Sequence, residues 1–209
     1  MNIDFIETLH ALDHLDIRVV RAAYADSADS AIAFAARRDM HDPRTTAIVL
    51  SRTDDGKGAP GTGAFPALAL ADETAIRAAF DALMAAAPAG SRILAREYVA
   101  PGTDVAIVGR TEAGRKYMEL RAGEHGVRRM IPLTEIGAEL MAGHFLSRDH
   151  RGSDKHRRRM LEHLTLRAAE LFATAGIDSL VLDPIRLHEN GYTVLGAAIE
   201  ASTALHFES

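Results

Sequence analysis

Four strand-like segments follow one another at residues 92–99, 104–111, 116–121 and 127–131, separated only by short turns. Ala-Pro-Gly-Thr joins the first two, and the last two read as a hairpin. Strands that succeed each other through short turns favour antiparallel pairing, so this stretch does not fit a simple doubly wound parallel sheet. Strand and helix patterns alternate elsewhere, which gives an α/β (α+β) chain with mixed strands.

Upstream, Ile3, Ile6, Leu9, Leu12 and Leu15 mark one apolar stripe on a helix over residues 3–15. A strand is expected at 18–22, then an alanine-rich helix at 27–38 opened by Ser or Asp caps. Residues 46–50 (TAIVL) suit a buried strand, 65–70 another, and Asp72 caps a helix running to residue 86. Downstream, the basic run DKHRRR precedes an amphipathic helix at 160–175 that Gly176 ends. Strands at 179–182 and 192–197 close the chain, with HENG between them.

Several function classes drop out on composition and motif context. A length of 209 residues at 47% hydrophobic content supports one domain of two lobes or two small domains. The net charge of -5 shows no basic excess for nucleic acid. No apolar run reaches the roughly 20 residues that span a bilayer, and the opening MNIDFIETLHALDHL does not read as a signal peptide. The expectation is a cytoplasmic protein without a nucleic-acid or membrane partner. Absence of cysteine removes disulfides, thiolate nucleophiles and cysteine-based zinc sites. Gly56-Lys57-Gly58-Ala59-Pro60-Gly61 fits G-x-G-x-x-G in spacing, yet a strand rather than a helix follows, so it reads as a plain loop. His10 and His14 have metal spacing but no third ligand, and there is no G-x-S-x-G elbow. His144, His150, His156 and the run Arg157-Arg158-Arg159 read as a solvated face.

Taken in order, the segments resemble the ATP-grasp domain of the ADP-forming acyl-CoA synthetases, the group of acetate-CoA ligase and the succinyl-CoA synthetase β-subunits. The likeness runs from IRVVRAAYADSADSAIAFAARR through FPALALADETAIRAAFDALMAAAP, and is clearest at ILAREYVAPGTDVAIVGR. RRMIPLTEIGAELM, GIDSLVLDPIRL and GYTVLGAAIEA complete it. This resemblance implies two α/β lobes with a cleft between them, residues 1–91 holding the first helix and first lobe and 92–209 the second. It also implies ATP, and Mg²⁺ bridging its phosphates.

Carried over residue by residue, the resemblance places Glu97 on the strand entering the adenine hinge and Val99 at the hinge itself. Asp104 falls near the ribose and Arg129 near the phosphates. Where the family has a phosphate lysine this chain has Ser51, with Arg52 beside it, and where it has the Asn and Asp that hold Mg²⁺ this chain has Ile185 and Gly196. Asp183 and Glu200 are the nearby carboxylates that could take over. Phosphoryl transfer depends on cations and fixed metal ions, so no catalytic or metal-binding residue is assigned. The expected function is a non-catalytic relative with weak ATP binding and no fixed Mg²⁺, serving partner binding, ligand binding or regulation. The alternative is the ATP-binding subunit of a working ADP-forming acid-CoA ligase, which would need a separate CoA-binding subunit.

Overall fold

The computed structural model describes residues 3–37, 47–53, 70–88, 90–146, 154–174, 176–189 and 191–202. It resolves into two compact units, one made of Val20–Ala100 and the other of Met1–Val19 together with Pro101–Ser209. The Gly56–Gly61 loop, His150 and most of the segment 65–70 lie outside the described residues.

The Val20–Ala100 unit contains β1 (Ala22–Ala25), α2 (Ala28–Ala36), β2 (Ile48–Thr53), α3 (Glu73–Ala85) and β3 (Arg92–Glu97); α1 (Phe5–His14) precedes it in the chain and belongs to the other unit. Its sheet has the order β1-β3-β2, antiparallel throughout. Both helices start where capping side chains predict. Ser27 and Ser30 form a reciprocal capping box at 3.1 Å each way, and Asp72 accepts from the Ala75 amide at 2.8 Å. Phe34, Ile76, Phe80 and Leu83 from the helices pack on Ile48, Leu50, Ile93 and Ala95.

The second unit adds β4 (Thr103–Glu112), β5 (Arg115–Ala122), β6 (His125–Met130), α4 (Glu135–Leu146), α5 (Asp154–Ala173), β7 (Ile177–His188), β8 (Gly191–Val194) and β9 (Ala197–Ala201). Its sheet runs β6-β5-β4-β7-β8, with β9 also on β7, and every pairing is antiparallel. The Phe172 ring of α5 lies against Gly109, where an added Cβ would come within 2.8 Å of it. Lys116 reaches from β5 to the Phe172 and Thr174 carbonyls at 2.7 and 3.0 Å, satisfying the end of α5 with a cation.

Local expectations shift in four places. In α1 the buried residues are Phe5, Thr8, Leu9, Ala11 and Leu12, while Leu15 is 37% exposed. A spacing of three slips by roughly 60° per step on a helix of 3.6 residues per turn, so the proposed stripe winds off the buried face. The strand expected at 18–22 starts at Ala22, and Val19 makes only an isolated bridge to Val194. The basic run is itself helical, since α5 begins at Asp154. The last strand divides in two at Leu195 and Gly196, whose backbones bond Pro184 and Asp183 across the sheet at 2.8 Å each.

Sheet membership also differs from the segment order. Residues 92–97 do not pair with 104–111: β3 is the centre of the three-stranded sheet and β4 pairs with β5 and β7. The division expected between 91 and 92 therefore separates β3 from both of its partners. At the Ala-Pro-Gly-Thr link, Gly102 packs against the Leu187 carbonyl, where a Cβ would sit 2.3 Å away. The link thus leads into the β4–β7 pairing instead of folding back on β3.

Candidate functional site

Alternation along each strand and the pairing register decide which side chains share a face. On the six-stranded sheet, Val105, Ile107, Gly109, Met118, Leu120, Leu180 and Leu182 are all buried on the side of Phe172. The opposite face carries Asp104, Ala106, Val108, Arg110 and Glu112 on β4, and Tyr117, Glu119 and Arg121 on β5. Arg128 stands opposite Glu119.

Charges on this face are matched one to another. Arg186 grips Asp104 with two bonds of 2.8 and 2.9 Å, the bidentate geometry that suits guanidinium and carboxylate. Arg121 meets Glu119 at 2.7 Å, and Arg128 meets Glu112 at 2.6 Å. The Arg121 hydrogen bond holds the Glu119 carboxyl below the usual carboxylate range. Asp183 moves the other way: burial raises it, the nearby Arg121 offsets part of that, and Asp104 adds to the rise. Asp183 stands at a bulge in β7 opposite Ala106, whose other neighbour is Arg121, so a small residue separates this acid from its nearest cation.

The sequence-derived site residues are distributed as follows. Asp104 lies on the charged face but is engaged by Arg186. Arg129 stands opposite Met118, on the other face of the same sheet, and donates to the Arg128 carbonyl at 2.9 Å. Glu97 and Val99 belong to the other unit. Glu97 pairs with Ile48 and shares its face with the buried core residue Ala95, while its amide donates to the Arg21 carbonyl at 2.9 Å. Val99 is half-buried.

Arg52 faces the same side as Ile48 and Leu50 and donates to the Ala86 carbonyl at 2.9 Å, at the end of α3. Ser51 is therefore on the opposite face from it. Sequence reasoning passed over Glu119, Arg121 and Arg186. The alternation in MELRA placed the first two on one face, but nothing local to the sequence pairs Arg186 with Asp104, 82 residues away.

Ile185 and Gly196 stand where the resemblance puts the family's magnesium ligands. Ile185 is fully buried, paired with Val105 and Val194. A Cβ at Gly196 would stand 2.1 Å from the Asp183 carbonyl oxygen, so no carboxylate can be carried there without moving β7. Glu200 pairs with Ser179, four residues before Asp183, which separates the two carboxylates by roughly 13 Å along the strand. Among the described residues no group of three or more His, Asp or Glu side chains could hold a metal ion. His10, His14, His144 and His156 are exposed, and no helix among the described residues is long and apolar enough to cross a membrane.

No protein-family model matches the chain, and no curated protein matches it by sequence. Solved structures do. The dinucleotide-forming acetyl-coenzyme A synthetase 1 of Ca. Korarchaeum cryptofilum, in complex with coenzyme A and Ca-AMPCP, is similar with a TM-score of 0.76 at 18% identity, over 96% of this chain and 93% of that one. Its apo form gives a TM-score of 0.73 at 19% identity, over 96% and 92%. The protein PH1788 of Pyrococcus horikoshii Ot3 gives 0.76 at 14% identity, over 97% and 92%. At such identities the likeness speaks for the fold, and the chain has an ATP-grasp fold similar to that of acetyl-coenzyme A synthetase ATP-grasp domains.

Proposed function

We propose that this chain is a degenerate ATP-grasp domain that binds an adenine nucleotide weakly, or a partner protein, and does not transfer phosphoryl groups. The observation that carries this reading is the junction of β7 with Leu195 and Gly196. Ile185 is built into the core and Gly196 has no room for a side chain, while Asp183 and Glu200 stand too far apart along β7 to replace them. A triphosphate needs fixed charge to be held in line for transfer, and this junction supplies no metal ligand pair. Adenine recognition through backbone groups near Val99 would survive such losses.

The nucleotide and the partner both come from the similar structures. One synthetase complex holds coenzyme A with Ca-AMPCP, and another holds Mg-AMPPCP with a phosphohistidine segment pointing towards the nucleotide binding site. A CoA-binding subunit is accordingly the proposed partner, and the cytoplasm, with its ATP pool, the proposed setting. Calorimetric titration of ATP with and without Mg²⁺ tests the reading: weak binding that Mg²⁺ leaves unchanged is expected. Acid- and CoA-dependent ADP formation, by this chain mixed with the CoA-binding subunit of a related synthetase, would overturn it. One observation favours that second reading, a working ligase subunit: the chain spans 93% of the synthetase chain it matches.

A further inference from the structure

α4 lacks the continuous polar face that a surface helix carries. Glu135, Glu139 and His144 are its only polar side chains. Ala138, Met141 and Ala142 are buried on one side, while Ile136 and Leu140, four residues apart on the outward side, are 70% and 57% exposed. Solitary apolar side chains on a surface are ordinary, but a helix that is apolar all round is one built to be covered on both sides.

Cations border this apolar pair. Arg158 crosses from α5 to α4, where it bonds Glu139 at 2.7 Å and lies against Gly143, an added Cβ there standing 3.3 Å from the guanidinium carbon. Lys155 is a helical neighbour of Arg158 at three residues and of Arg159 at four, so Lys155 and Arg159 continue the same surface. Both are exposed, and neither takes part in an ion pair or hydrogen bond among the described residues. The stretch 154–159 sets Lys155, Arg157, Arg158 and Arg159 against Asp154 alone, in a chain of net charge -5. Glu139 is already held by Arg158, so beside α5 the positive charge is the unmet one.

We propose that the outward side of α4, with Lys155 and Arg159 of α5, docks an acidic amphipathic helix of a partner protein. Apolar side chains spaced three and four residues apart on that helix cover Ile136 and Leu140, and its Asp or Glu side chains meet the two free cations. A partner helix can set its acids beside α5 alone, whereas an anionic bilayer presents one charge everywhere and meets Glu135 and Glu139 as well. Exposed ion pairs add little energy and the apolar patch is small, so the complex is a weak and transient one. The inference deepens the partner half of the reading above, uses no residue of the nucleotide site, and can fail without touching nucleotide binding.

Two synthetic helices test it, one with leucines at helical spacing along one side and glutamates beside them, the other identical but with lysine for every glutamate. Binding to the full chain is measured by fluorescence anisotropy, and its place by amide chemical-shift titration. The glutamate helix is expected to bind about tenfold more tightly than the lysine helix, with shifts at Ile136, Leu140, Lys155 and Arg159. Ile136→Ser with Leu140→Ser should weaken it by about tenfold, and Lys155→Glu with Arg159→Glu should abolish or invert the preference between the helices. All four side chains are exposed, so these variants keep the fold. Met84→Ser, at an exposed apolar residue of the other unit, should change nothing. Equal affinities for the two helices, or binding that survives both pairs of substitutions, would overturn the proposal. So would dimerisation of the free chain through Ile136 and Leu140 in sedimentation velocity, which assigns the surface to a second copy, or displacement of the glutamate helix by phosphatidylserine vesicles, which assigns it to a membrane. No binding of either helix overturns it as well, and titration of ATP on the same protein then still decides the nucleotide reading.

Discussion

On the six-stranded sheet, the face away from α5 sets Asp104, Glu112 and Glu119 directly against Arg186, Arg128 and Arg121. The corresponding face of the three-stranded sheet carries Arg92 and Arg96, with Glu97 of the same strand on the opposite face. The first face pairs acids with arginines; on the second, Arg92 stacks on the Tyr24 ring and the Ser51 hydroxyl is buried with no hydrogen-bond partner among the described residues. Abundant charge is therefore a poor guide to a ligand in this molecule. A charge already held bidentately by a neighbour gives up that bond before it can take a ligand.

The largest expected effect breaks the charged face at its bulge. Gly196→Ala puts a Cβ against the Asp183 carbonyl, and β7 has to shift to admit it. A loss of about 3 kcal/mol in unfolding free energy is expected by denaturant titration, with the Asp183 amide losing its protection from exchange. A change below about 0.5 kcal/mol would mean that the β7 backbone yields freely, which is within the range of ordinary surface substitutions.

The next pair of substitutions tests the comparison by sign. Asp104→Ala removes the bidentate partner of Arg186, whose side chain is 21% exposed, and should cost about 1 kcal/mol after allowing for solvent around Asp104. Ser51→Ala removes a hydroxyl with no hydrogen-bond partner among the described residues and should be neutral or stabilising by up to about 1 kcal/mol. Loss of stability in Ser51→Ala would show that the hydroxyl is already satisfied, and the contrast between the faces would disappear.

The smallest effect is a pH dependence of opposite sign at two acids on the charged face. Glu119 has a folded pKa lowered from 4.5, so its contribution is present above that value and is lost as pH falls through the folded value. Glu119→Gln should therefore lower stability at neutral pH, by less than about 1 kcal/mol, and match the parent in strong acid. Asp183 has a folded pKa raised from 3.8, so its ionised form costs stability above the folded value and nothing well below 3.8. Asp183→Asn should stabilise at neutral pH and lose that advantage on acidification. Parallel pH profiles for the two variants would contradict the assignment of Arg121 to Glu119 rather than to Asp183.

Most of the elements were legible in the sequence, because the signals that define them are local. Asp72 and Ser27 sit before helical patterns and cap them through bonds spanning three residues. The hairpin of β5 and β6 shows as two alternating runs around a short turn. The candidate site was less legible. Glu97, Asp104 and Arg129 all stand on strands near where they were expected, but strand position does not say which face a residue occupies or what it meets there. Arg129 is turned from Asp104 by the register of β6 on β5, and Asp104 is bonded to a residue 82 positions away.

What the sequence determined by itself is most of the helices and the hairpin of β5 and β6, whose caps, periodicity and turn are local signals. What only the tertiary structure decided is which sheet each strand joins and that the Ser51 hydroxyl is buried without a partner among the described residues. β3 follows its sequence neighbours yet pairs with β1 and β2, and Gly196 is glycine because the Asp183 carbonyl approaches it. The physical reason is one of range. Helix caps and strand alternation are satisfied within a few residues, whereas sheet partnership, a bulge and an unpaired hydroxyl arise from backbones that meet across tens of residues.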